Sequence, residues 1–166
     1  TGYDAETARR SLNIMFADWS NRGVNIWTIA EVTTDLTAGT SSYTLNSFDL
    51  DLLSAVIRQT DSSNNSTDLQ LERIGRSEYL NIPNKSSTGR PTQIFVDRQK
   101  TPVVKLWPTP DSANTYKLVS NRLQRIDDIS SSAEDPDIPS RFIPCLTSGL
   151  AYYIAMKKNP ERVNLL

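Results

Sequence analysis

From Asp4 onward, Ala5, Ala8, Leu12, Met15, Phe16 and Trp19 recur at steps of three and four, the spacing that aligns one apolar stripe on a helix. Glu6, Arg9, Arg10, Asn13 and Asp18 fall on the opposite side, so the pattern predicts a helix half buried and half wet. Asp4 suits its N-cap, because a carboxylate accepts from the free amides of a first turn, and Gly23 suits its end. The period then changes. Val24, Ile26, Thr28 and Val32, with Trp27 and Ile29 opposite, read as an extended segment, and Ser42 to Leu45 after Gly39 reads as its short partner.

Strand-like runs fill the middle of the chain at Ala55–Gln59, Leu69–Ile74, Thr92–Asp97, Val103–Trp107 and Tyr116–Arg125. Their length and turn-separated spacing predict antiparallel sheet. Asp61–Ser66 is a hairpin loop, Arg98–Pro102 a tighter one, and Pro108–Asn114 a third connection. Ser77–Ile82 reads as a short helix. Near Pro136 a helical period returns, with Phe142, Leu146, Leu150, Tyr153 and Ile154 on one face and Pro139 and Pro144 confined to the first turns. This helix should reach Lys158, and its Ser148, Gly149, Ala151 and Ala155 are small enough to admit a neighbouring helix. Asn159-Pro160-Glu161 reads as the start of another. The expected fold is α+β: terminal helices at 1–23 and 136–166 packed as a helical bundle, with an inserted antiparallel β-rich, sandwich-like region at 24–135.

Composition adds a second constraint. The chain has 166 residues, enough for a core without disulfides or metal, yet its hydrophobic fraction is only 37%. Even with the six glycines added, this falls below the roughly 45–50% usual for soluble domains. Partner surfaces would complete the burial. A net charge of −1 supplies no long-range field for nucleic acid or an anionic membrane. The single Cys145, read as lying in an apolar setting and packing as a small hydrophobe, cannot form an intrachain disulfide, which fits an intracellular folding compartment. No apolar run reaches membrane-spanning length, and no secretory leader is visible. The chain opens at Thr1 without a methionine and stops at Leu166, as a trimmed chain would.

Chemistry is scarce. The absence of histidine removes the commonest general base, the familiar triads and the usual histidine-containing zinc sites. One cysteine excludes a four-cysteine zinc or iron–sulfur site within one chain, and no phosphate-cradling glycine loop is present. No enzyme, cofactor or metal is therefore expected. Glu72, Glu78, Asp97 and Asp111 are available as an acid and base pair for glycoside hydrolysis, but their spacing selects no two of them, and sheet-edge and turn positions account for all four. Asp127-Asp128 and Glu134 to Asp137 offer oxygen ligands for calcium, or simply an acidic approach to a helix N-terminus. Trp19, Trp27 and Trp107, with Tyr43, Tyr79, Tyr116, Tyr152 and Tyr153, are either core or the anchors of a sugar site or an interface. Arg9, Arg10 and Arg22, and Lys157, Lys158 and Arg162, are solvated helix faces or contacts to an acidic or phosphate surface.

Four stretches carry a resemblance: Ser11–Trp27 (SLNIMFADWSNRGVNIW), Thr88–Val96 (TGRPTQIFV), Val104–Asp111 (VKLWPTPD), and Pro139–Pro144 (PSRFIP) leading to Gly149–Tyr152 (GLAY). Each is a packing or turn signature and none is catalytic. In this order, across most of the chain, they resemble the head-to-tail adaptor (connector) proteins of short-tailed bacteriophages, tail tubular protein A-like. The resemblance implies a virion structural protein, a homo-oligomeric ring, commonly a dodecamer, joining the portal protein to the tail nozzle protein. Such a ring encloses the DNA exit channel at the portal vertex, is assembled in the host cytoplasm, and lets DNA pass without sequence-specific binding. No membrane and no cofactor are implied. Ring closure through unlike patches suits a chain with separate helical and sheet faces, and the expected interface residues are Trp19, Trp27, Tyr152, Tyr153, Lys157 and Arg162. The alternative from a different class is a β-sandwich carbohydrate-binding module, against which the helices at both ends speak.

Overall fold

The computed structural model describes residues 2–24, 28–131, 136 and 138–161, with the side chains of 2–4 left aside. The chain divides into two units, one formed by Thr1–Thr28 with Arg125–Leu166 and the other by Ile29–Gln124. Together they make an α+β protein.

In the first unit, α1 (Gly2–Asn21) buries the predicted stripe: Met15 and Phe16 are fully buried, and Leu12 and Trp19 pack around them with Ile126, Ile129, Ile138, Leu146 and Tyr153. The helix begins at Gly2, before Asp4, so Asp4 is not its cap. Its end is as expected. Gly23 takes φ +77°, its amide donates to the Ser20 carbonyl at 3.2 Å, and the Val24 amide reaches back to the Trp19 carbonyl at 3.0 Å. That reverse turn needs a left-handed residue, which glycine adopts without a Cβ penalty. The wet side of α1 is partly covered. Arg9 Nη1 donates to the Ser130 carbonyl at 2.7 Å, and the Asn13 side chain accepts from the Ile129 amide at 3.1 Å, so residues 126–130 lie along the helix.

A 3₁₀ turn (Ser140–Phe142) leads into α3 (Ile143–Lys158), which packs on α1. Pro144 sits in the first turn, where its missing N–H costs no intrahelical bond. Cys145 is exposed rather than buried; one residue from Leu146, it lies about 100° round the helix, at the edge of the face that Leu146 and Tyr153 turn inward. Residues 25–27 of the predicted extended segment lie outside the described residues, and from Ile29 the chain is strand.

The second unit holds two four-stranded sheets around one core. The first sheet runs β1 (Ile29–Asp35), β10 (Thr115–Gln124), β3 (Asp49–Thr60), β4 (Ser66–Gln70), all antiparallel. The second runs β2 (Ser42–Thr44), β8 (Val103–Trp107), β7 (Gln93–Asp97), β5 (Glu72–Arg73). Leu52, Ile57, Tyr116 and Leu118 of the first sheet meet Ile94, Val96, Val104 and Leu106 of the second, all buried. Side chains of this size each contribute about 1.5–3 kcal/mol when taken from water. A short helix, α2 (Arg76–Asn81), stacks Tyr79 on Phe95 at 5.1 Å between ring centroids.

Three expectations about this unit are corrected. Ser42–Thr44 does not pair with the strand after Gly23; β1 pairs with β10, and β2 with β8 in the other sheet. Proximity along the chain lost to the core, which needs Tyr43 and Leu45 packed on the second sheet. Leu69–Ile74 is not one strand: β4 ends at Gln70, and after Leu71 turns inward the chain joins the second sheet as β5. The pairing is not all antiparallel either. β5 lies parallel to β7, and β6 (Thr88–Gly89) parallel to β9 (Thr109–Pro110), because each arrives after a crossover rather than a hairpin.

The parity of β3 explains why only Ala55–Gln59 was legible as strand. Register shifts against β10 leave Leu53 and Leu50 outside the ladder, so Asp49, Leu52 and Ile57 all face inward although a regular strand would alternate them. Inside, Arg122 Nη1 bonds Asp49 Oδ2 at 3.0 Å, Nη2 donates to Thr34 Oγ1 at 2.7 Å and Nε to Ser120 Oγ at 3.0 Å. Gln124 and the Asn46 amide fill the remaining Asp49 sites. A buried ion pair is tolerable only when its other donors and acceptors are satisfied in this way.

Candidate assembly surfaces

α3 has an unusual surface for a helix of one small unit. From Ile143 to Met156 it carries no charged side chain, yet none of its residues is buried. Among the described residues, Leu146 and Tyr153 are the members of α3 that pack against the core α1 forms. Ile143 is 51% exposed, and Tyr152 and Met156 41% each. Tyr152 and Met156 stand one turn apart, and Tyr152 meets the neighbouring Tyr153 edge-on at 6.0 Å.

The expected interface residues are distributed differently from one another. Tyr152 is exposed. Trp19 and Tyr153 are half-buried in the unit's own core, with Trp19 6.2 Å from Phe16. Lys157 donates to Ser11 Oγ at 3.2 Å, tying the last turn of α3 to α1. Trp27 and Arg162 lie outside the described residues. Among the small residues of α3, Gly149 faces α1, against Met15.

The carboxylates weighed for hydrolysis are occupied by local structure. Glu78 accepts from the Gly75 amide at 2.6 Å as the N3 residue of a capping box, Glu72 accepts from Gln93, Asp97 pairs with Arg76 and Gln99, and Asp111 accepts from the Ala113 amide and Tyr116. The Gln99 amide, against burial and helped by Arg76, holds the Asp97 carboxyl below the ordinary range, the opposite of what a general acid needs. Trp107 donates to the Asn84 carbonyl at 2.9 Å and the Tyr43 hydroxyl is engaged by Thr37 and Thr40, so both rings are built into the sandwich. No helix of the described residues is long and apolar enough to cross a membrane.

One cluster escaped the sequence reading. Arg73 of β5, Arg76 of α2 and Arg98 after β7 line a hollow of about 280 Å³ with Ile74, Gly75, Phe95 and Val96. The three arginines stand up to 25 residues apart in the chain, with nothing periodic to link them; the pairing of β5 with β7 brings them together.

The curated proteins contain no match to the chain. Over residues 4–165, almost its whole length, the chain matches the model of the SU10 adaptor protein family. With an architecture of packed helices and sandwich, and acids spent on caps and ion pairs, it belongs to that family of phage head-to-tail adaptors and is a virion structural adaptor protein.

Proposed function

We propose that the chain is one subunit of a ring that joins the portal to the tail nozzle and encloses the DNA exit channel. The observation that carries this reading is α3: fourteen residues without a charge, Ile143–Met156, with no residue buried. A helix that carries apolar side chains beyond the one face its own unit covers belongs at least partly in an interior. Here one side meets α1, and along its edge Tyr152 and Met156 stand exposed for a neighbour. Copies packed through it would bury the apolar surface that the modest hydrophobic content leaves uncovered, and a closed ring multiplies one weak contact into a stable whole. The slight negative charge suits a wall that DNA passes without adhering.

Native mass measurement of the chain, alone and with an assembled portal ring, tests the proposal. A closed oligomer, or capture as a ring on the portal, is the expected result; a monomer under both conditions overturns it.

A further inference from the structure

β3 outruns its neighbour β4. The two strands pair only from Val56 to Thr60, and among the described residues no strand pairs with that side of β3 between Asp49 and Ala55. The ladder fixes which backbone groups face this open edge. The Leu36 amide donates to the Tyr116 carbonyl, so Tyr116, and with it Leu118, Ser120 and Arg122 at two-residue steps, turn their backbone groups toward β1. Leu52 stands opposite Arg122 and therefore turns its own amide and carbonyl the other way, to the open edge. Both groups are closed by side chains. The amide donates to Asp51 Oδ1 at 2.9 Å, and the carbonyl accepts from Arg73 Nη1. Asp51 Oδ1 also takes Arg73 Nη2 at 2.8 Å, which holds the guanidinium over the carbonyl, and Asp51 Oδ2 takes Arg98 Nη2 at 2.6 Å from the hollow.

The sequence of this stretch shows what an open edge here would attract. Leu50 to Ile57 reads LDLLSAVI, with no proline or glycine and with Asp51 as its single charge. Short apolar segments of low charge on an uncovered edge are the ones that take a strand from another chain. The bulges turn Leu50 and Leu53 to water, 40% and 47% exposed, and so add apolar surface beside the edge. The same segment on a second copy presents the same edge, so two of them can pair antiparallel across a two-fold axis. Such a pair would centre on the amide and carbonyl of Leu52.

We infer that Asp51 and Arg73 form a guard that keeps this edge of β3 from pairing with the β3 of a second copy. An entering strand must break the charge-assisted bonds between the two side chains and displace Arg73 from the Leu52 carbonyl before it gains its first ladder bond. The one charge in the segment is thus also the residue that occupies the Leu52 amide and positions the arginine over the carbonyl. Arg98 bonds the same carboxylate but, among the described residues, no backbone group, so it separates the guard from the charge it carries. The inference does not depend on the ring reading above: it states which association of copies the fold prevents, whatever assembly the chain forms.

The test compares variants of the full chain by sedimentation velocity, with the infrared band of intermolecular β-sheet as a second reading. Arg73→Met removes the donors and keeps an apolar stem; it should self-associate through added β-sheet at roughly a tenth of the concentration that the unmodified chain needs. Arg73→Lys, which returns a donor to the carbonyl, should reverse most of that gain. Asp51→Ala opens the Leu52 amide and releases Arg73, so it should associate at least as readily and serves as the second variant. Arg98→Ala loses the same charge and a bond to the same Asp51 but uncovers no backbone group, and should behave as the unmodified chain does. Melting curves fix a temperature at which every variant compared is folded, so that unfolded chain does not contribute. Arg73→Met and Asp51→Ala that associate no more than Arg98→Ala overturn the inference, as does equal association of all three without gain of the β-sheet band. The ring is decided separately by the mass of the unmodified chain, whereas the guard is read from differences between variants.

Discussion

The Met15 sulfur occupies the space that a side chain on Gly149 would need. The two residues mark a close approach of α1 and α3, and Met15 is almost fully buried there. Gly149→Ala would gain about 1 kcal/mol of helix propensity, but displacing Met15 from a filled site costs roughly 1–3 kcal/mol. The net expectation is a loss of about 1 kcal/mol, read as a lower denaturant midpoint. In a double-mutant cycle, Met15→Ala with Gly149→Ala should cost less than the two singles together, because the smaller residue makes room for the added methyl. Strictly additive costs would mean that the helices separate freely here.

Asp49 and Arg122 carry the second prediction. Both are nearly sealed from water, with side-chain exposures of 1% and 6%. Asp49→Ala leaves a buried guanidinium with only hydroxyl partners and should cost roughly 3–5 kcal/mol. Replacing both by apolar residues of similar volume should cost clearly less than Asp49→Ala alone. Urea unfolding of the three variants distinguishes a pair that stabilises from one that must merely remain matched.

Asp51 predicts the acid limit. Burial works to raise its carboxyl, but Arg98, the Leu52 amide and Arg73 outweigh burial and hold it below the ordinary range. A group depressed in the folded state contributes stability that is complete above its unfolded value, about 3.9, and is lost as pH falls through the lower folded value. Asp68, held down by Arg58, and Asp97 act in the same direction. The melting temperature should therefore fall steeply below about pH 4, and Asp51→Asn should lower it near neutrality while making the acid limb shallower. An unchanged acid slope in Asp51→Asn would show that its arginines contribute nothing to folding.

Tyr152 and Met156 separate assembly from folding. Both project from α3 outside the core of their unit, so Tyr152→Ser with Met156→Ser should change monomer stability by no more than about 1 kcal/mol in all. Sedimentation velocity should nevertheless show the oligomer weakened by tenfold or more. An oligomer as stable as the unmodified one would move the apolar contact elsewhere on the chain.

Much of this architecture was legible along the chain. Periods of three and four residues marked α1 and α3, two-residue alternation marked β8, and the polar Asp61–Ser66 and Arg98–Pro102 connections became the β3–β4 and β7–β8 hairpin turns. These features are local, set by the geometry of a helix or strand and the solvation of each side chain.

What remained hidden depends on residues distant in sequence. No local rule distinguishes β10 from β2 as the partner of β1; burial of Tyr43 and Leu45 against the second sheet does. The bulges at Leu50 and Leu53 invert the inward face of β3, and only β10 across the ladder makes that inversion favourable. The arginine hollow arises the same way, from strands that arrive after a crossover. Local periodicity thus determines which segments are helix or strand, whereas pairing and convergence follow from the requirement that one shared core be filled and every buried polar group matched.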